Sequence, residues 1–267
     1  LDAWSGPLLL EEVLDSYAAM VRGAQPDLPP VRPYKDFIAW QQAQDTTEVA
    51  VWWRDRLAGF SDPTPIDLGP PEVGQDDYGL EFIPLSDARV DQLHKAARAA
   101  GVTLNTFVQG AWALLLARYS GRDDVVFGTA VAGRPAEIAG IERMVGLFIN
   151  TLPVRARIGT GGTLFPWLRA LQQDAIAARA AEHMPLAEIQ AQSDVPKGRP
   201  MFDSLLVFED FSFQKTELEG GGLRVGASEF SERANFPLTL LFAVRDKSVI
   251  GAGFETTRFD RATARRI

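Results

Sequence analysis

The stretch VGLFINTLPVRARI, residues 145–158, contains two polar residues followed by an alternating pattern typical of a β-strand. Its second half alternates apolar and other side chains, which predicts a β-strand with one buried face. The apolar positions of that face are Leu152, Val154, Ala156 and Ile158. Asn150 and Thr151 interrupt the apolar run just before it. Taken alone, such a pair indicates a bulge or the end of a strand ladder rather than a ligand group.

The sequence on either side predicts alternating helices and strands. Residues 103–120 are apolar almost all round, which is typical of a helix buried in a large core, and 123–133 read as a buried strand. Another helix is predicted ahead of residue 103, with Ser86 as its N-terminal cap and Gly101 at its C-terminal end. Further predicted elements are helices from an N-cap at Ser5 to about 21, over 34–57, near 163–180, near 185–192 and over 260–267, and strands at 80–85, 202–209, 222–229, 237–244 and 248–256. This order, with strands concentrated in the last third, predicts an α/β layered fold.

Composition excludes several functional classes. The 267 residues carry a net charge of −8, whereas a nucleic-acid-binding protein needs a basic face. The chain has no Cys and only two His, far apart, so we predict no disulfide, no thiolate ligand and no metal site. We also expect no membrane-spanning segment, since no apolar run reaches 18 residues. A cytoplasmic location is the expectation that fits these features.

Six stretches, in order along the chain, resemble the motifs of one family, the condensation domains of nonribosomal peptide synthetases. They are YKDFIAWQ (34–41), DDVVFGTAVAGRP (123–135), VGLFINTLPVR (145–155), HMPLAEIQ (183–190), FDSLLVFEDF (202–211) and SERANFPLTL (231–240). One such match is weak evidence, but six in sequence order make a specific resemblance over nearly the whole chain.

The first five residues, LDAWS, resemble the end of the family signature HHxxxDG, which is usually followed by Trp or Val and then Ser. Asp2 matches the Asp of the signature, and Ala3 stands where Gly is usual. The resemblance implies that the second His, credited with catalysis, lies four positions before Asp2 and so ahead of Leu1. We therefore expect this fragment alone to be inactive.

The resemblance also implies a fold and its domain organisation. The family fold is a two-lobed, chloramphenicol-acetyltransferase-like α/β sandwich with a mixed sheet and flanking helices. On that basis residues 1–58 are the end of the N-terminal lobe, whose remainder is a missing partner, and 80–267 are the C-terminal lobe. Residues 59–79, rich in Pro and acidic residues, are the expected inter-lobe linker.

The activity implied by the resemblance is peptide-bond formation in antibiotic and other secondary-metabolite biosynthesis. The amine of an acceptor aminoacyl thioester attacks a donor acyl or peptidyl thioester. Upstream and downstream peptidyl carrier proteins hold both groups on phosphopantetheine arms, and an adjacent adenylation domain is a further partner. The expected partners include neither nucleic acid nor membrane. No cofactor is expected to bind this domain directly.

The resemblance assigns site residues as follows. Asp2 and Arg134 are expected to form a salt bridge that organises the catalytic site without transferring protons. The predicted substrate-binding residues are Ala3, Trp4, Ser5, Phe148, Asn150, Thr151 and Asn235. Ala3 is a costly replacement if the family Gly needs a positive φ, and a harmless one if φ is negative. The backbone amides near Ala3 and Trp4 could donate to a developing oxyanion.

Three alternatives to this interpretation stay open. Heterocyclisation domains carry DxxxxDxxS, and residues 2–5 satisfy its DxxS half, but VGLFINT fits condensation better than the GDFT-like residues of that branch. Epimerisation domains share the signature, yet FINTLPVR again favours condensation. The third alternative is a catalytically inactive module that docks carrier proteins, and Ala3 slightly favours it.

Overall fold

The computed structural model describes residues 1–66, 77–159, 162–209, 233–244 and 248–267, together with the backbone of 219–220 and 223–224. The helices are α1 (Ser5–Val21), α2 (Lys35–Gln42), α3 (Thr47–Leu57), α4 (Asp87–Ala100), α5 (Leu104–Ser120), α6 (Leu164–Ala180), α7 (Leu186–Gln190) and α8 (Arg261–Arg266). The strands are β1 (Tyr78–Pro84), β2 (Asp124–Val131), β3 (Asn150–Arg157), β4 (Ser204–Glu209), β5 (Glu219–Gly220), β6 (Leu223–Arg224), β7 (Leu238–Ala243) and β8 (Val249–Glu255).

The chain divides into two compact units, and neither is continuous in sequence. Unit 1 comprises Leu1–Asp45, Ala132–Asn150 and Ser212–Glu232, and most of this last segment lies outside the described residues. Unit 2 comprises Thr46–Val131, Thr151–Phe211 and Arg233–Ile267. The predicted lobe boundaries stay a prediction. Residues 67–76 of the predicted linker, and most of the predicted strand at 222–229, lie outside the described residues.

Unit 2 is built on a mixed sheet, which has six strands in the part of the chain that the structure describes. Their order is β1-β8-β7-β4-β2-β3. The pairs β1–β8 and β7–β8 are antiparallel, whereas β4–β7 and β2–β4 are parallel. The prediction of an α/β fold with a mixed sheet and flanking helices is confirmed.

Helix α5 fills the core of unit 2, as its apolar sequence predicts. Trp112, Ala113 and Leu116 are buried against β-strand side chains such as Val125 and Phe127. This burial explains why an apolar pattern all round the helix is stable in a globular domain.

Local capping determines the bounds of α4. Its cap Ser86 accepts a hydrogen bond from Arg89 N, and Gly101 ends the helix with φ 73°. Both caps agree with the sequence prediction, because each depends only on neighbouring residues.

The prediction of one helix over 34–57 was wrong. Helix α2 ends at Gln42 and α3 begins at Thr47. The intervening residues include Asp45 and Thr46, whose side chains compete for backbone hydrogen bonds and favour helix starts over helix interiors.

In the described part of the chain, no single helix combines the length and apolarity needed to cross a membrane. Helices α4 and α5 reach that criterion only when taken as a pair, and the chain bends by 91° between them.

Candidate functional site

A buried ion pair in unit 1 joins the first residues of the chain to the segment that follows β2. Arg134 Nη2 lies 3.0 Å from Asp2 Oδ2 and 3.1 Å from Asp2 Oδ1. Each side chain is only 6% exposed. Because a buried charge without a partner is strongly unfavourable, each of these two groups requires the other.

Asp2 owes its position to the tight start of α1. Its Oδ1 accepts hydrogen bonds from Ser5 N at 2.9 Å and Ser5 Oγ at 2.6 Å. The prediction that Ser5 is the N-cap was wrong: Ser5 is the first helical residue, and its N–H is shared between the Asp2 carboxylate and the Asp2 backbone carbonyl, which lies 3.1 Å away. An aspartate carboxylate beside a helix start is also favoured by the helix dipole.

Ala3 fits this turn without backbone strain. Among the described residues, only glycines have positive φ. The replacement of the family Gly by Ala therefore costs nothing through φ. The Ala3 side chain is exposed.

Arg134 is held by more than Asp2. Its Nη1 donates to the carbonyls of Ile141 at 2.6 Å and Met144 at 2.9 Å. The guanidinium carbon lies 3.9 Å from the centroid of the Phe148 ring, a close cation–π contact. Burial lowers the pKa of Arg134, and the charge and hydrogen bonds of Asp2 act in the opposite direction. The arginine therefore works as a rigid anchor for backbone and carboxylate together.

Residues 146–148 form a clamped segment, meaning that protein groups hold each residue by its backbone. Gly146 N donates to Ser5 Oγ at 3.0 Å, and Gly146 O accepts from Asp2 N at 3.1 Å. Tyr34 Oη donates to Leu147 O at 2.6 Å. Phe148 N donates to Asp2 Oδ2 at 3.3 Å. The ion pair and the clamped segment are thus one connected network.

Tyr34 is the residue of this network that the sequence analysis missed. Its ring packs edge-on against Phe148, with centroids 5.1 Å apart, and lies directly over Gly146. Burial, and then the negative charge of Asp2, raise the pKa of the Tyr34 hydroxyl. Tyr34 opens the motif YKDFIAWQ, and that motif is the only signal in the sequence that points to it.

The family model for the condensation domain matches residues 1–267. The chain belongs to the condensation-domain family. The family predicted from the six motifs is thereby confirmed. This condensation domain is 40% identical to one of the linear gramicidin synthase proteins of Brevibacillus parabrevis, over 100% of this chain and 5% of that protein. It is also 40% identical to chondramide synthase cmdD of Chondromyces crocatus, over 99% of this chain and 7% of that protein. The chain therefore spans only a small part of the length of these relatives.

The fold is also shared with solved structures. The X-domain from teicoplanin biosynthesis aligns with a TM-score of 0.80 at 24% identity, over 98% of this chain and 63% of that one. This structural similarity confirms the predicted chloramphenicol-acetyltransferase-like α/β architecture.

The predicted site residues of the condensation domain fall into two groups. Asp2, Trp4, Ser5, Arg134 and Phe148 come together in unit 1. There the Trp4 indole Nε1 donates to Glu142 O at 2.8 Å, and the Trp4 ring centroid is 5.6 Å from the Arg134 guanidinium carbon.

The remaining predicted residues lie on or beside strands of the sheet. Asn150 and Thr151 are the first two residues of β3 and are partly buried. Asn235 is exposed and lies shortly before β7, in unit 2. The substrate roles of these three residues stay predictions.

Proposed function

We propose that this condensation domain forms the peptide bond between a donor acyl or peptidyl thioester and an acceptor aminoacyl thioester within a nonribosomal peptide synthetase. The carrying observation is the buried Asp2–Arg134 pair at the start of α1, in the segment that resembles the family signature. Family membership and the identity to peptide-antibiotic synthases support the same function.

In the proposed reaction, the lone pair of the acceptor amine attacks the carbonyl carbon of the donor thioester. The carbon–sulfur bond then breaks, the donor pantetheine leaves as a thiol, and the amine nitrogen gives up one proton. Asp2 is an unsuitable acceptor for that proton, since Ser5, Arg134 and Phe148 already donate to both of its oxygens. We assign Asp2 and Arg134 to organising the site.

The two carrier proteins supply the phosphopantetheine arms, so phosphopantetheine belongs to the substrates of this domain. An adenylation domain of the same synthetase charges those arms. Because both reactants are tethered, the attack is effectively unimolecular, and orientation alone supplies a large part of the rate. We propose substrate contacts at exposed Ala3, at Trp4 and at Asn235, and in the strand-start pair Asn150 and Thr151.

One experiment tests this function against its alternatives. The synthetase that carries the domain is charged by its own adenylation domains, and the carrier-bound products are identified by mass spectrometry after one turnover. A carrier-bound peptide with an open amide is the expected product. A product lighter by one water, from an acceptor with a Ser, Thr or Cys side chain, contradicts condensation in favour of heterocyclisation. Retained carrier binding without any new amide bond points to the inactive docking module, unless the carrier-bound residue has inverted its α-carbon configuration, which points to epimerisation.

A further inference from the structure

The Ser5 hydroxyl lies at the centre of the buried network, which uses all of its hydrogen-bonding capacity. Ser5 is 0% exposed. Its Oγ is 2.6 Å from Asp2 Oδ1 and 3.0 Å from Gly146 O, and it accepts from Gly146 N at 3.0 Å and Arg134 Nη2 at 3.4 Å. A hydroxyl has one hydrogen and two acceptor positions. The shorter contact, to a carboxylate, is the stronger one, so the hydrogen goes to Asp2.

These bonds leave the hydroxyl no capacity for a substrate. We infer that Ser5 is a positioning residue of the amide-forming site, which acts through Asp2 in place of the substrate contact predicted from the sequence. This inference rests on the proposed function. It extends that function from the Asp2–Arg134 pair to a third side chain.

The geometry of the ion pair leaves the orientation of the Asp2 carboxylate to other donors. Arg134 reaches both Asp2 oxygens through the same nitrogen, Nη2, at 3.1 Å and 3.0 Å. One shared donor does not fix the rotation of a carboxylate about its Cβ–Cγ bond. Ser5 holds Oδ1 through both its backbone N–H and its hydroxyl, and the hydroxyl makes the shorter contact, while Phe148 N holds Oδ2. Ser5 also accepts from Gly146 N, so it links the carboxylate orientation to the clamped segment.

The test compares Ser5→Ala, Ser5→Thr, Asp2→Asn and the double variant Ser5→Ala/Asp2→Asn in the charged synthetase. Single-turnover amide formation is followed over a range of carrier concentration, and thermal unfolding of each variant is recorded. Ser204→Ala is the matched control. Ser204 is also a buried serine (1% exposed) whose Oγ accepts a hydrogen bond from Trp112 Nε1, in the core of unit 2.

We expect Ser5→Ala to lower the single-turnover rate roughly tenfold or more, the size of one lost hydrogen bond to a charged group. The half-saturating carrier concentration should not change. Ser5→Thr keeps the hydroxyl and should retain more of the rate. If Ser5 acts through Asp2, the double variant is no slower than Asp2→Asn alone. Ser204→Ala should lose stability without losing rate.

Three results overturn the inference while leaving the proposed function intact. The first is a single-turnover rate in Ser5→Ala equal to that of the wild type. The second is a double variant whose rate falls by the product of the two single-variant losses. The third is a Ser5→Ala variant that changes only the half-saturating carrier concentration. A wild-type synthetase that forms no amide overturns the proposed function itself, and this inference with it. If Ser5→Ala does not fold, Ser5→Thr is compared with Ser5→Cys, whose thiol is a weaker donor, and equal rates overturn the inference.

Discussion

Gly133 packs against the backbone of Phe148 so closely that no side chain fits between them. A Cβ atom built on Gly133 would overlap the Phe148 carbonyl oxygen and stand 2.9 Å from the carbonyl carbon. Gly133 also has a φ of 60°, a conformation that favours glycine. The glycine before Arg134 therefore lets the arginine-bearing loop approach the clamped segment.

We predict that Gly133→Ala lowers the free energy of unfolding by about 2–5 kcal/mol, the sum of left-handed strain and overlap with backbone. Gly140→Ala is the matched control. Gly140 has a φ of 80° and open space around a built Cβ, so it should lose only the strain, about 1–2 kcal/mol. Urea unfolding measures both variants. Equal losses would contradict a close approach of Gly133 to Phe148.

The second prediction concerns the multiple contacts of Arg134. Arg134→Lys keeps the charge, but an ammonium group cannot reach Asp2, Ile141 O and Met144 O together. We expect a loss of about 3 kcal/mol in the free energy of unfolding, because buried acceptors lose their donors.

The control for this prediction is Arg143→Lys. Arg143 pairs with Glu11 at 3.6 Å, and both side chains are well exposed (38% and 47%), so this change should cost about 0–1 kcal/mol. Chemical denaturation compares the two variants. A similar small loss in both would mean that a point charge suffices at position 134.

The features that sequence predicts well are those that depend on nearby residues. The Ser86 cap and the Gly101 end of α4 each act within a few positions, so their residue types are enough to locate them. The family motifs are likewise short strings. They identify the family and the α/β fold, but they do not reveal the contacts that hold the fold together.

The residue roles that the sequence does not predict depend on contacts between residues far apart in the chain. The roles of Ser5 and Tyr34 come from the backbone of the clamped segment, more than 100 positions away in sequence. Arg155 lies opposite the predicted apolar face of β3, yet it is buried at 6% exposure. The alternation of β3 identifies one apolar face. It does not reveal that, on the other face, Arg155 donates hydrogen bonds to Asp124 and to the carbonyl of Ala58, which follows α3.

That arginine supports a prediction about acid stability. Burial acts to raise the pKa of Asp124, but the hydrogen bonds and charges of Arg155 and Arg157 outweigh it and hold the pKa below its ordinary value. The folded state then binds this proton less well than the unfolded state. The stabilisation is complete above the unfolded pKa of about 3.9 and is lost as pH falls through the lower folded pKa.

We therefore expect Asp124→Asn to lose about 1–2 kcal/mol at pH 7, since a partly exposed carboxylate loses charged hydrogen bonds. Its stability should also decline less than that of the wild type below about pH 4. Asp91→Asn, which removes an exposed carboxylate on α4, is the control. Urea unfolding from pH 3 to pH 7 tests this, and an unchanged acid profile in Asp124→Asn would count against the ion pair.

The last prediction concerns Tyr34, whose hydroxyl holds the carbonyl of Leu147. Tyr34→Phe should cost about 0.5–1.5 kcal/mol at pH 7, the net contribution of one ordinary hydrogen bond, because the bond to that carbonyl is solvent-exposed. Burial and the charge of Asp2 raise the folded pKa of Tyr34, so its contribution is complete below the unfolded pKa of about 10 and is lost as pH rises through the folded pKa. The stability gap between wild type and Tyr34→Phe should therefore narrow at alkaline pH. Tyr119→Phe, at an exposed position of α5, should show neither effect. Unfolding curves collected from pH 7 upward decide the matter, and a gap that stays constant with pH would show that the Tyr34 hydroxyl does not titrate as described.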